Sequence, residues 1–312
     1  MQADPFNRDP SAIYDRPEDL EVPGDMRVRR LTCPNASPMT FTGTQSYIVG
    51  TGEVAVIDPG PLREEHLERL LSCLSPGERI SHILVTHSHV DHSPGARWLK
   101  AKTGAEIFGY GSHRDGMSAV MQRLAASTEI GGGEGGDTSF SPDQKLDEGD
   151  RIHGPDWEIV AHHTPGHLSN HLSFTLSGGG VIFTGDTVMG WATTLVSPPE
   201  GDMRAFMASL DRLEAAQAHV FLPGHGHPID EPSRMIRHQR QHRLARASQV
   251  LAALEDGPAD PETLTRRIYT DVDPALLPAA QRNVLSTLIW QMEEGQVGTE
   301  DSFGASVRFM RR

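Results

Sequence analysis

Hydrophobic positions change period along this chain, and each change predicts an element. Met26–Cys33 alternates as a first strand, and Gln45–Gly50 with Glu53–Asp58 alternates about a Thr51-Gly52 turn, predicting a hairpin. Leu67, Leu70, Leu71 and Leu74 then fall at helical spacing, so Leu62–Leu74 reads as a helix covering a sheet. Ile80–Val85 is a short β-branched apolar run, as in a buried strand, and Ser93-Pro94 suits the cap and first turn of a helix over Ser93–Thr103. Glu106–Tyr110, Asp150–His153, Trp157–His163, His171–Leu176, Val181–Thr184 and His219–Leu222 read as further strands, and Asp202–Ala216 as an amphipathic helix with an acidic N-cap. The glycine run Gly131–Gly136 belongs to no element and is either a disordered loop or a lid.

The pattern changes character at Glu231-Pro232. Ser233–Leu254 predicts one long helix, Pro261–Tyr269 and Pro274–Glu294 two more, and Gly295–Phe309 has room for two short strands around Ser302–Gly304. Three divisions follow: an N-terminal extension over 1–25, a strand-rich unit over 26–231 and a helical, winged-helix-like unit over 232–312. The long helix carries Arg234, Arg237, Arg240, Arg243 and Arg246; spacing of three winds them around the axis, so some must pack inward against acidic surface or line a basic wall.

Chemistry gathers where strands end. Thr86-His87-Ser88-His89-Val90-Asp91-His92 joins a strand to a helix, so His87 and His89 share a face while the turn aims Asp91 and His92 nearby, as a two-metal site requires. Thr164-Pro165-Gly166-His167, Thr184-Gly185-Asp186 and Pro223-Gly224-His225-Gly226 each end a strand with a glycine turn and a ligand-type side chain. The repetition places all of them on one rim of a sheet. Asp58, in the sharp Asp58-Pro59-Gly60 exit, reads as a turn aspartate bonding its own backbone.

The set HxHxDH, TPGH, TGD and PGHG resembles the metallo-β-lactamase fold superfamily over about residues 26–230. The resemblance implies an α/β fold, a four-layer αββα sandwich followed by a small helical winged-helix-like domain. It also implies that His87, His89 and His167 hold one metal, that Asp91, His92 and His225 hold another, and that Asp186 bridges. For Asp58 the resemblance implies, beside the turn reading, a support for that rim. Asp91 would also be the catalytic carboxylate, and His171 would either touch substrate or simply begin its strand; Trp191, in the stretch just after Asp186, either meets an apolar part of the substrate or caps the sheet edge. The β-lactamase branch usually has Arg where His92 stands and uses a cysteine ligand, whereas Cys33 and Cys73 lie in other contexts, which argues against antibiotic hydrolysis as the primary role.

Imidazole and carboxylate without thiolate suit two Zn²⁺ per chain, with iron or manganese as alternatives. Two cysteines and sixteen histidines fit a reducing compartment, and Met1–Pro23 lacks an apolar leader, so the expectation is a cytoplasmic protein with no membrane partner. The net charge of −14 divides into 17 basic and 32 acidic residues through Glu231, hence −15, and 11 and 10 after it, hence +1. That balance disfavours nonspecific nucleic-acid binding by the first part.

The layout is similar to the β-lactamase-like protein 2 group, which includes a single-strand endoribonuclease and fungal thioesterases acting on acyl carrier proteins; the glyoxalase II branch shares THxHxDH but not the C-terminal extension. The expectation is therefore a dinuclear hydrolase using a metal-bound hydroxide on an ester or thioester. A small-molecule or acyl-carrier substrate is expected, with RNA hydrolysis and a non-enzymatic metal-dependent binding module as alternatives, and homodimerisation open.

Overall fold

Period-two alternation sorts the strand residues of this chain into inner and outer faces. The computed structural model describes residues 17–24, 26–126, 135–178, 180–271, 273–274, 277–300 and 303–312. Seven strands form one sheet in chain order: β1 (Glu18–Leu20), β2 (Val28–Thr32), β3 (Gln45–Val49), β4 (Glu53–Ile57), β5 (Arg79–Leu84), β6 (Glu106–Gly109) and β7 (Gln144–Lys145). It is antiparallel through β4 and parallel from β4 onward. The second sheet holds β8 (Arg151–His153), β9 (Glu158–His163), β10 (Leu172–Leu176), β11 (Val181–Gly185) and β12 (Val220–Pro223), with only β11 and β12 parallel.

Tyr47, Val49, Ala55 and Ile57 face Phe174, Val181, Phe183 and Leu222 between the sheets. Their neighbours point outward: Ile48, Val54 and Val56 pack under α1 (Glu64–Ser72) and α2 (Pro94–Thr103), and Ile182 and Phe221 under α4 (Met203–Ala215). The result is the expected αββα sandwich. Because β9, β11 and β12 run in one direction, their C-terminal turns share a rim, which the exits of β4 and β5 join.

Three local features depart from the sequence reading. Glu18–Leu20, expected as part of an extended arm, adds an edge strand to β2, with Asp19 opposite Arg29. Ser93 has helical backbone and makes no side-chain cap; its hydroxyl donates to the His89 carbonyl at 3.2 Å and to Asp137 Oδ2 at 3.1 Å. Ala119–Ala125 forms a helix, α3, that the pattern did not announce. It has seven residues, and its apolar positions answer to distant partners. Residues 1–16, Asp25 and most of the glycine run, 127–134, lie outside the described residues, as does the question of a lid.

The C-terminal part folds as expected into α5 (Pro232–Ala253), α6 (Pro261–Ile268), α7 (Leu277–Glu293) and a two-stranded wing, β13 (Val297–Thr299) with β14 (Phe309–Arg311). Its core of Leu264, Leu288, Ile289 and Phe309 also takes in Val120, Met121 and Leu124 of α3, so the apolar packing crosses the division expected at Glu231-Pro232. Among the described residues no helix is long and apolar enough to cross a membrane.

On α5 the arginines wind as the spacing requires. Arg240 pairs with Asp211 at 2.6 Å and Glu214 at 2.9 Å, Arg234 pairs with Glu231, and Arg246 lies 4.3 Å over the Tyr269 ring. The buried stripe is Pro232, Ile236, Gln239, Arg243, Ala247 and Val250. Polar residues therefore occupy its middle.

Candidate metal centre

The rim is assembled from supports before ligands. Asp58 leaves β4 with φ 49°, which swings its carboxylate across to the next strand. Its Oδ1 accepts from the Thr86 amide at 2.8 Å, and its Oδ2 accepts from the Thr86 hydroxyl at 2.7 Å and from His92 Nδ1 at 2.9 Å. Asp58 therefore supports the rim and does not close its own turn. With the Thr86 hydroxyl committed to Asp58, its lone pairs accept from His87 Nδ1 at 3.0 Å. His167 Nδ1 donates to the Leu195 carbonyl at 2.9 Å, and His225 Nδ1 to the Gly43 carbonyl at 3.2 Å. In all four rings Nδ1 is tied to an outer acceptor, which turns Nε2 toward the centre, the arrangement that outer partners impose on metal-binding imidazoles.

Those lone pairs converge. His89 Nδ1 lies 3.0 Å from both His87 Nε2 and His167 Nε2. His225 Nε2 lies 3.1 Å from Asp91 Oδ2, 3.3 Å from Asp186 Oδ2 and 3.3 Å from His92 Nε2. His92 Nε2 lies 3.6 Å from Asp186 Oδ1, and His167 Nε2 lies 3.7 Å from Asp186 Oδ2. Three ligand groups result: His87 with His89 and His167, His87 with His92 and Asp186, and Asp91 with His92 and His225. All seven expected ligands meet, and Asp186 reaches toward both sides.

This donor set fits divalent metal. Zn–N bonds of ~2.0–2.1 Å in a tetrahedron put ligand atoms ~3.3 Å apart, close to the spacings seen. Asp186 Oδ1 is buried and accepts no hydrogen bond, an orphan that a cation would satisfy. A Cβ on Gly224 would lie 2.4 Å from that oxygen and 2.7 Å from His92 Cε1, so only glycine leaves the space.

Electrostatics divide the cluster. Burial, then the neighbouring imidazoles, holds His87 well below the ordinary histidine range; burial and His167 hold His89 at about 3. Both are neutral and ready to coordinate. At His92 burial opposes charge, but Asp91, Asp186 and Asp58 outweigh it and raise the pKa well above the usual value. Against burial, Asp186 and Asp91 likewise bring His225 up to about 10, and the two imidazoles in turn hold both carboxylates below their ordinary range. The carboxylates thus create a strongly anionic pocket that protons or a metal must neutralise.

His171 does not take the substrate-facing place expected of it. It is wholly buried, its Nε2 accepts from the Asp186 amide at 3.1 Å, and its Nδ1 faces the Thr164 and Thr187 hydroxyls at 3.0 and 3.2 Å. It shapes the turn carrying Asp186. Trp191 is 37% exposed and stacks on Phe41 with ring centroids 5.2 Å apart. His227, just past the PGHG turn, meets the same Phe41 ring edge-on. Sequence reasoning missed Thr86, Thr194 and the pair His113–Glu200. His113 joins Ser88, inside the HxH motif, to Glu200 through bonds of 2.9 and 2.8 Å. The Thr194 hydroxyl donates to the Asp186 carbonyl at 2.9 Å. His113 and Glu200 have no local spacing signal, because they work through residues distant in the chain, whereas Thr86 stands inside the THxHxDH motif beside the His87 it orients.

Comparison with known proteins agrees with this geometry. Residues 39–225 match the Metallo-beta-lactamase superfamily and residues 261–305 the Beta-lactamase associated winged helix domain. The chain is 31% identical to an Aspergillus fumigatus protein named atrochrysone carboxyl ACP thioesterase, over 78% of this chain and 70% of that one. It is 27% identical to the Caenorhabditis elegans beta-lactamase-like protein 2 homolog, over 86% and 85% respectively. In fold it is similar to a beta-lactamase domain protein from Burkholderia ambifaria (TM-score 0.76, 23% identity, 99% of this chain and 96% of that one). A metallo-beta-lactamase family protein from Thermus thermophilus is also similar (TM-score 0.71, 24% identity, 91% and 98%). With its ligand-bearing rim and its C-terminal wing, this chain belongs to the metallo-beta-lactamase superfamily and is a metal-dependent hydrolase carrying the associated winged-helix domain.

Proposed function

We propose that the protein hydrolyses an ester or thioester of a small molecule or acyl carrier at a dinuclear site, with Zn²⁺ as the resident metal. The observation that carries this reading is the apolar mouth. Val90 stands between ligands His89 and Asp91 and is 45% exposed, and Trp191 stacks on Phe41 just beyond Asp186. An acyl or aryl group has surfaces to lie on there, whereas a polyanion meets a chain of net charge −14. The arginines of α5 offer it little, since Arg240 is paired with acids and Arg243 is buried. The name of the fungal thioesterase relative supports the same class.

When bound, divalent metal supplies Lewis acidity and a water acidic enough to ionise near neutral pH. His87, His89 and His167 would hold one ion, Asp91, His92 and His225 the other, and Asp186 both. Asp91 is the ligand carboxylate nearest solvent, 21% exposed against 7% for Asp186. It hydrogen-bonds the Thr44 hydroxyl at 3.1 Å, which fixes Oδ2, and it is placed to move a proton between the reacting water and the leaving group. Metal-loaded protein assayed side by side on an aryl-acyl thioester and on single-stranded RNA should turn over the thioester faster and with little salt dependence. RNA turnover that is faster, falls steeply with salt and vanishes in Asp91→Ala would reverse the assignment.

A further inference from the structure

Segment Ala192–Val196 follows Asp186 and touches the metal centre twice. The Leu195 carbonyl accepts from His167 Nδ1 at 2.9 Å, and the Thr194 hydroxyl donates to the carbonyls of Asp186 and Thr187 at 2.9 and 3.1 Å. It is held from the other side by the C-terminal domain. The Arg243 guanidinium donates through Nη2 to the Thr194 carbonyl and through Nη1 to Asn283 Oδ1 at 3.4 Å. The same Asn283 oxygen accepts the Val196 amide at 3.4 Å, and Gln239 Nε2 donates to the Ala192 carbonyl at 3.4 Å. Arg243 is 3% exposed, lies 5.1 Å over the Phe206 ring and pairs with no carboxylate among the described residues. A buried guanidinium without a counterion is less favourable than an apolar side chain at the same place in the helix stripe. Packing alone does not account for it; hydrogen bonding to one backbone carbonyl does.

We propose that Arg243, with Asn283, is a positioning residue of the metal centre, through which the C-terminal domain sets the orientation of His167 and Asp186. The inference rests on the metal-binding role of those two residues. It makes the winged-helix domain part of the centre, although it supplies no ligand. Outer partners of metal ligands typically change affinity 10–100-fold; one hydrogen bond further out, the effect falls at the lower end.

Purified Arg243→Met keeps the unbranched apolar stem of the side chain and removes its donors. Zinc affinity, measured by competition with a chromophoric chelator, should fall about tenfold. The d–d absorption of the cobalt-substituted protein should shift while circular dichroism stays native. Arg243→Lys, which keeps one donor within reach of the Thr194 carbonyl, should recover part of the affinity. A folded Arg243→Met with wild-type zinc affinity and cobalt spectrum overturns the proposal. Should Arg243→Met fail to fold, Thr194→Val and Asn283→Ala decide in its place: both bind zinc more weakly if the chain of contacts matters, and wild-type affinity in both refutes it. Failure of the wild-type protein to bind zinc would instead remove the metal centre itself, a distinguishable result.

Discussion

Asp58→Asn tests how the supports set the ligands. The carboxylate accepts three hydrogen bonds and donates none, from the Thr86 amide, the Thr86 hydroxyl and His92 Nδ1. The amide is isosteric but has a donor face. If its oxygen keeps the Thr86 amide, its NH₂ faces His92 Nδ1–H, and two donors cannot share one contact. His92 then moves its proton to Nε2, the atom that points at Asp91, Asp186 and His225. A protonated Nε2 coordinates nothing. Removing such a partner costs ~10–100-fold in metal affinity, or ~1.4–2.7 kcal/mol. With two ions bound as proposed, the loss should fall on the one that Asp91, His92 and His225 would hold, while His87, His89 and His167 would keep theirs. Chelator titration followed by metal analysis should show wild-type protein losing its equivalents together and Asp58→Asn losing one at a concentration that spares the other. Two equivalents of unchanged affinity in the folded variant would refute the tautomer argument.

Gly224→Ala should abolish activity and metal retention with the fold kept, because its Cβ would sit 2.4 Å from Asp186 Oδ1; native metal content measured on the folded variant would count against the packing. His66 is buried, and burial, with Arg69 and Arg63, takes its pKa down to about 3. Between about pH 6.5 and 3 the unfolded chain binds a proton that the folded chain refuses, so stability falls as pH drops through that window by up to ~1.4 kcal/mol per unit. Urea unfolding of His66→Gln should show a shallower acid slope, and an unchanged slope would contradict the assignment. Trp191→Ala should raise KM for an aryl thioester about tenfold with kcat less affected, since it removes ground-state contact at the mouth; equal KM values for both proteins would place the acyl group elsewhere.

The ligands were legible because each is announced locally: a strand, a glycine turn and a ligand-type residue three times over, and once a strand that runs through HxHxDH into a helix. Glycine at 185 and 224 is needed where backbone crowds His171 and Asp186, so the turns and the chemistry share one signature. His171 shows where spacing stops informing. Four residues after His167 it stands at the start of β10, and which way that residue faces depends on the Asp186 turn arriving from β11. α3 was invisible for the same reason, since Val120, Met121 and Leu124 are apolar for the sake of Leu264 and Phe309, far along the chain. On α5 the buried stripe contains Gln239 and Arg243, so a hydrophobic pattern could not show which face packs inward.

Burial then fixes how a substrate approaches. His92, His167, His225 and Asp186 expose no more than 7% of their side chains, while Asp91 exposes 21% and Val90 beside it 45%. Among the described residues the rim is therefore open on one side, that of the His89–Asp91 turn, and sealed by Gly224, His171 and the Ala192–Val196 segment on the others. On the proposed function, a scissile carbonyl entering there would reach the ligands with Val90 at its edge and Asp91 as the first proton carrier. Affinity for the acyl part would come from apolar contact, with the charge chemistry behind it. That separation suits a neutral ester or thioester, whose charge appears only in the transition state, where metal bound beside Asp186 would stabilise it.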